Sequence, residues 1–156
     1  MRKIHFLSSA AGIAAVLTTL SLPPAPALAQ RIDPDNAAWI EQGARNYAKH
    51  CASCHGANLE GEKNWQQRKK DGTLPAPPHD ATGHTWHHPD QMLFFVTKMG
   101  GQAVAPPSFK SAMPGFKDVM TDEEIWAVLS FIKSRWPEKI KKTHDRLNER
   151  MRHTNH

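Results

Sequence analysis

The chain has 156 residues, 39% of them hydrophobic and 22% charged, with a formal charge of +5 and two cysteines. That length suits one domain with a single core. The positive charge is modest and no basic–aromatic recognition pattern accompanies it, which excludes nucleic acid as an expected partner and favours steering toward acidic proteins.

Residues 1–29 read as a secretory signal peptide. Arg2 and Lys3 give a basic start, residues 6–20 a mostly apolar run, and Ala27-Leu28-Ala29 a small-residue cleavage pattern before Gln30. The run is shorter than the roughly 20 apolar residues of a membrane span. Ser8, Ser9, Thr18 and Thr19 interrupt it. Cleavage before Gln30 and a periplasmic location are expected, with no transmembrane segment in the mature protein. Removing 29 of the 156 residues leaves 127, and losing Arg2 and Lys3 lowers the formal charge from +5 to +3.

The expected fold class is all-α, since no stretch shows convincing strand alternation. A first helix is predicted over 34–50, with Asp33 as its cap and Pro34 in its first turn. Its apolar stripe is Ile40, Ala44, Tyr47, Ala48 and Cys51, with Gly43 beside it. Residues 56–88 are polar and loop-like and include Arg68-Lys69-Lys70 and the stretch LPAPPHD. A loop that long needs something to order it, and a large buried cofactor would do so. A second helix starts at Pro89 and stops at Gly100-Gly101. A third opens on the capping box Thr121-Asp122-Glu123-Glu124, carries Ile125, Val128, Leu129, Ile132 and Trp136 on one face, and ends or kinks at Pro137. The domain is thus expected over 30–137. The charged tail 138–156 fits a further helix with a thin stripe of Ile140, His144, Leu147 and Met151, a surface that would also support a dimer.

Chemistry is concentrated at Cys51-Ala52-Ser53-Cys54-His55. Export makes a disulfide admissible, but a redox C-x-x-C belongs to a strand–helix unit, and here it follows a helix. A structural zinc would want four ligands, and the motif offers three at most. C-x-x-C-H is the attachment signal for c-type haem. Both thiols would bond to the porphyrin edge, and His55 would supply an imidazole to the iron.

Three stretches strengthen that reading: QGARNYAKHCASCHGANLEG at 42–61, SAMPGF at 111–116 and TDEEIWAVLSFIKSRW at 121–136. Together they resemble a small class I c-type cytochrome, in its N-terminal helix with haem motif, its methionine loop and its C-terminal helix. The resemblance implies a cytochrome c fold of three main helices and long loops around one covalent haem c. It implies that the N- and C-terminal helices cross closely, so that Gly43 and Tyr47 meet Val128, Phe131 and Ile132. Cofactor-binding residues would be Cys51, Cys54, His55 and Met113, with His55 and Met113 as the iron's axial ligands. Met92, Met99 and Met120 are also present, but only Met113 sits in a proline-flanked loop ahead of the last helix. With both axial positions filled, electron transfer is favoured over substrate chemistry. The implied function is a periplasmic one-electron carrier, not an enzyme, docking transiently on redox partner proteins through the haem edge.

The histidines of PPHDATGHTWHHPD keep alternatives open. His79, His84, His87 or His88 could replace the methionine, or the loop could hold copper or zinc, giving a haem sensor or a metal-binding protein. It could instead fold over the haem edge, with Trp65, Trp86 or a histidine bonding the propionates. A dedicated electron-transfer subunit of a periplasmic oxidoreductase is a further reading. Family members often place a proline soon after the motif, whose carbonyl orients the axial histidine. GANLEG lacks one, and another carbonyl in that stretch is expected to serve.

Overall fold

The computed structural model describes residues 31–154; the expected signal peptide lies outside them. Five α-helices follow in order: α1 (Ala37–His50), α2 (Ala52–His55), α3 (Asp90–Met99), α4 (Asp122–Ser134) and α5 (Glu138–Thr154). Among the described residues there is no strand, only a single bridge between Thr73 and Lys110. The all-α expectation therefore holds.

The start of α1 differs from expectation. Asn36 is its cap, accepting from Trp39 N at 3.1 Å. Asp33 instead accepts from Asp35 N at 3.1 Å, forming a tight turn before the helix. The stripe also rotates, so that Gly43 and Tyr47 are buried while Ala48 is exposed.

Gly43 lies at the centre of the α1–α4 crossing. A Cβ there would fall 2.0 Å from Ala127 O and 2.9 Å from Phe131 Cβ, so only a glycine lets the backbones approach this closely. One turn on, Tyr47 packs against Phe131 with ring centroids 5.5 Å apart. Helix α4 supplies most of the core, burying Ile125, Trp126, Val128, Leu129 and Ile132. It begins with the predicted capping box: Thr121 Oγ1 accepts from Glu124 N, and Glu124 returns a carboxylate to Thr121 N.

Helix α3 crosses α4 through Phe94, stacked on Trp126 at 4.4 Å, and through the Lys98–Asp122 ion pair. Helix α5 forms as the tail pattern predicted, but its buried face is centred on His144 and Asn148. That face is covered by the same chain: His144 Nε2–H donates to His88 O, and Asn148 Nδ2 donates to Asp90 Oδ1. His144 also meets the edge of Trp136. Of the stripe proposed for a dimer, Met151 alone is left exposed.

Candidate functional site

The two cysteines sit where one helix hands over to the next. Cys51 caps α1 and starts the single turn of α2, whose Cys54 N and His55 N both donate to Cys51 O. Three residues apart on one turn, the thiols share a face. Both are free, Cys51 half-buried and Cys54 exposed. Burial, then the neighbouring Cys54, pushes the Cys51 thiol up to about 11. No third or fourth ligand joins them: among the described residues no three His, Cys, Asp or Glu side chains are grouped to hold a metal ion.

His55 is buried at the end of that turn. Gly56 turns the chain away with φ +80°, and Tyr47 OH fastens the turn by donating to Gly56 O at 2.8 Å. His55 Nδ1 lies 2.9 Å from Pro77 O. A carbonyl can only accept, so Nδ1 carries the proton and Nε2 keeps its lone pair free for a metal. Burial holds the imidazole pKa below its ordinary value, against the opposing pull of the Pro77 bond and Glu62. The ring is therefore neutral, as a ligand must be.

The orienting carbonyl thus comes from a proline 22 residues further along, not from GANLEG. Residues 59–62 bring it there. Glu62 N donates to Ala76 O, Glu62 Oε2 accepts from Ala76 N, and Leu59 O accepts from both His79 N and Asp80 N. Nothing in the spacing signals this, because the pairing depends on a return of the loop rather than on local pattern.

The histidine loop divides. His79 stacks face to face on His55 at 4.0 Å, with the planes 21° apart. Ligands on opposite sides of one iron approach it nitrogen first; two stacked rings cannot, so His79 is not the second axial partner of His55 here. His84 lies against Trp65 and His88, while His87 packs against Trp86 and is exposed. Trp86 Nε1 and His84 Nδ1 are buried without a hydrogen-bond partner among the described residues. Each such nitrogen costs roughly 1–3 kcal/mol unless an acceptor meets it. A carboxylate-bearing group such as a haem propionate fits that demand.

Met113 is held by the residues around the end of α3. Its N–H donates to Ser111 Oγ at 3.2 Å, and its carbonyl accepts from Gly101 N at 3.1 Å. Three and four residues on, Phe116 N and Lys117 N satisfy the last carbonyls of α3, at Thr97 and Lys98. The methionine loop is therefore clasped to the C-terminal end of α3, half-buried. No hydrogen bond links Met113 to His55 among the described residues; each is held by its own bonds.

An all-helical chain with its first and last core helices crossed over a C-x-x-C-H turn, and a neutral histidine fixed by a proline carbonyl, defines a cytochrome c domain. The family model described as "Cytochrome C oxidase, cbb3-type, subunit III" matches residues 38–132, more than half of the chain. The chain belongs to that family of monohaem c-type cytochromes. No curated protein and no solved structure matches it.

Proposed function

We propose that this protein is an exported monohaem electron carrier, with haem c bonded to Cys51 and Cys54 and held axially by His55 and Met113. The observation that carries the reading is the His55 Nδ1–H bond to Pro77 O, which leaves Nε2 as a neutral donor directly behind the paired thiols. When bound, the haem supplies a one-electron iron couple. The protein's own residues hold, orient and shield that centre. Cys51 and Cys54 anchor its edge, His55 is locked in one tautomer, and Trp86 and His84 offer buried nitrogens to its carboxylates. A thioether from Met113 would favour the reduced iron and raise the potential.

Redox proteins would dock weakly, over interfaces below about 1,200 Å². Arg68, Lys69 and Lys70 flank one such surface, near Phe109, over which the Arg68 guanidinium sits. The family's description names an oxidase subunit. That favours a second reading, a dedicated electron-transfer subunit, which co-purification with one membrane or periplasmic enzyme would reveal. Among the described residues no helix is long and apolar enough to cross a membrane.

The test is the optical spectrum of the mature protein, made in a host that attaches haem c, in wild type and Met113→Ala. The oxidised wild type is expected to show the weak long-wavelength sulfur-to-iron band and the variant to lose it. Covalent haem without that band would move the sixth ligand away from Met113 and favour sensing or catalysis. Absence of covalent haem would end the reading.

A further inference from the structure

His79 has no assigned role in haem attachment, yet it is the side chain in closest ring contact with His55. The imidazoles lie 4.0 Å apart and 21° from parallel, so one face of His55 is covered by His79. Three bonds fix where that cover sits. His79 N donates to Leu59 O at 2.8 Å, Trp136 Nε1 donates to His79 O at 2.7 Å, and His79 Nδ1 shares a 2.8 Å hydrogen bond with Thr85 Oγ1. Leu59 adopts φ +71°, a left-handed conformation that is unusual for a bulky side chain and costs about 1–2 kcal/mol. The strained residue is buried, and its carbonyl receives both His79 N and Asp80 N. Strain of this kind persists where the surroundings over-determine it. Thr85 is in turn buried beneath α5, whose His144 holds the adjoining His88 carbonyl at 2.9 Å.

A single hydrogen bond from Nδ1 to Pro77 O fixes which nitrogen of His55 is free, but leaves the ring able to swing about its bonded axis. A flat ring stacked on its face removes that freedom. We propose that His79 is a positioning residue for the axial histidine: it sets the rotational angle of the His55 imidazole and keeps water off its face. The proposal rests on His55 being the iron's ligand. In iron–imidazole chemistry the ring's angle decides which iron d orbital its π system overlaps, and so the magnetic anisotropy of the oxidised haem. Outer-shell contacts and exclusion of solvent also tune the potential.

The experiment compares wild type, His79→Ala, His79→Phe and His79→Gln as holoproteins. The readouts are the low-temperature electron paramagnetic resonance spectrum, the haem-methyl proton shifts and the midpoint potential. The main-chain bonds of residue 79 survive all three substitutions. Phe keeps a flat ring, and Gln keeps a hydrogen-bonding group for Thr85 without one. The Ala and Gln variants are expected to show a displaced or split anisotropy pattern and a lowered potential, as water reaches His55. The Phe variant is expected to stay near the wild type. If Ala fails to fold, as judged by far-ultraviolet circular dichroism, the Phe–Gln contrast decides alone. Spectra of Ala and Gln that match the wild type would overturn the role of His79 and leave the ligation intact. A wild type without a low-spin, histidine-ligated haem would overturn the ligation reading, and this proposal with it.

Discussion

Gly43 shows how one missing side chain organises the molecule. The helical stripe of α1 was legible in sequence as far as Tyr47, whereas its meeting with Phe131 was implied by the resemblance to a class I cytochrome c. What the periodicity could not reveal was that Gly43 is the point of closest approach rather than a neighbour of it, since a glycine contributes nothing to an apolar pattern. Two effects oppose each other in Gly43→Ala. Helix propensity favours alanine by about 1 kcal/mol. The new Cβ, 2.0 Å from Ala127 O and 2.5 Å from Ala127 C, collides with backbone that cannot rotate away. Overpacking costs typically 1–3 kcal/mol, and more where backbone must shift. The variant should therefore be destabilised by at least about 1–2 kcal/mol net, measured by denaturant unfolding of the holoprotein. A stabilised Gly43→Ala would mean that the helices do not cross there. The His55 tautomer belongs to the same scale and was not legible. The need for an orienting carbonyl could be foreseen, but Pro77 reaches His55 only because Leu59 and Glu62 pair with residues 76–80.

At the scale of elements, the caps separate what local chemistry dictates from what context decides. The Thr121–Glu124 box was readable because both partners are within one turn, and it forms as predicted. Asp33 and Pro34 looked equally suited to start α1, yet Asp33 closes a turn on Asp35 while its own N–H donates to Ser130 Oγ of α4. That tertiary bond moves the cap to Asn36. Replacing Thr121 by Ala removes the acceptor for Glu124 N at an exposed helix start and should cost about 1 kcal/mol. Thr121→Ser should recover most of it, and a thermal unfolding series of the three proteins measures both. Equal melting temperatures would show that the Glu124 carboxylate on Thr121 N suffices by itself. Helix α5 was foreseen as an element, and His144 of its stripe is indeed buried, with Ile140 packed partly buried against the core, but Asn148 on the same face was not foreseen. The polar part of that face is anchored because His144 and Asn148 find buried partners in His88 O and Asp90.

Across the whole molecule, several histidines are folded away from water, and that makes stability depend on pH. His144 is fully buried. Burial and then the Lys133 charge hold its pKa below the ordinary value, while Asp90, the His88 carbonyl and Asp145 pull the other way. His84 is lowered by burial and by His87, and His88 by burial, His84 and His87. A histidine with a depressed folded pKa is neutral in both states above about 6.5, so its full contribution to stability is present there. As pH falls below that value the unfolded chain gains protons that the folded chain refuses, and stability declines until the folded pKa is passed. The holoprotein should therefore lose unfolding free energy between pH 7 and pH 5, with uptake of up to three protons for these three residues. Each fully linked group contributes at most about 1.4 kcal/mol per pH unit. The half-exposed His84 and His88 should contribute well below that bound. The larger shares should come from His144 and from His79, which burial and then the neighbouring His55 and His84 hold well below the ordinary value. Urea unfolding at pH 7.5, 6.5 and 5.5 measures the slope, and His144→Gln, which can still donate to the His88 carbonyl, isolates its share. A flat profile in the wild type, or an undiminished slope in His144→Gln, would place the proton-linked weakness elsewhere than beneath α5. If the slope does diminish, α5 is the element that acid loosens first, and with it the cover over the loop that carries Thr85 and His79.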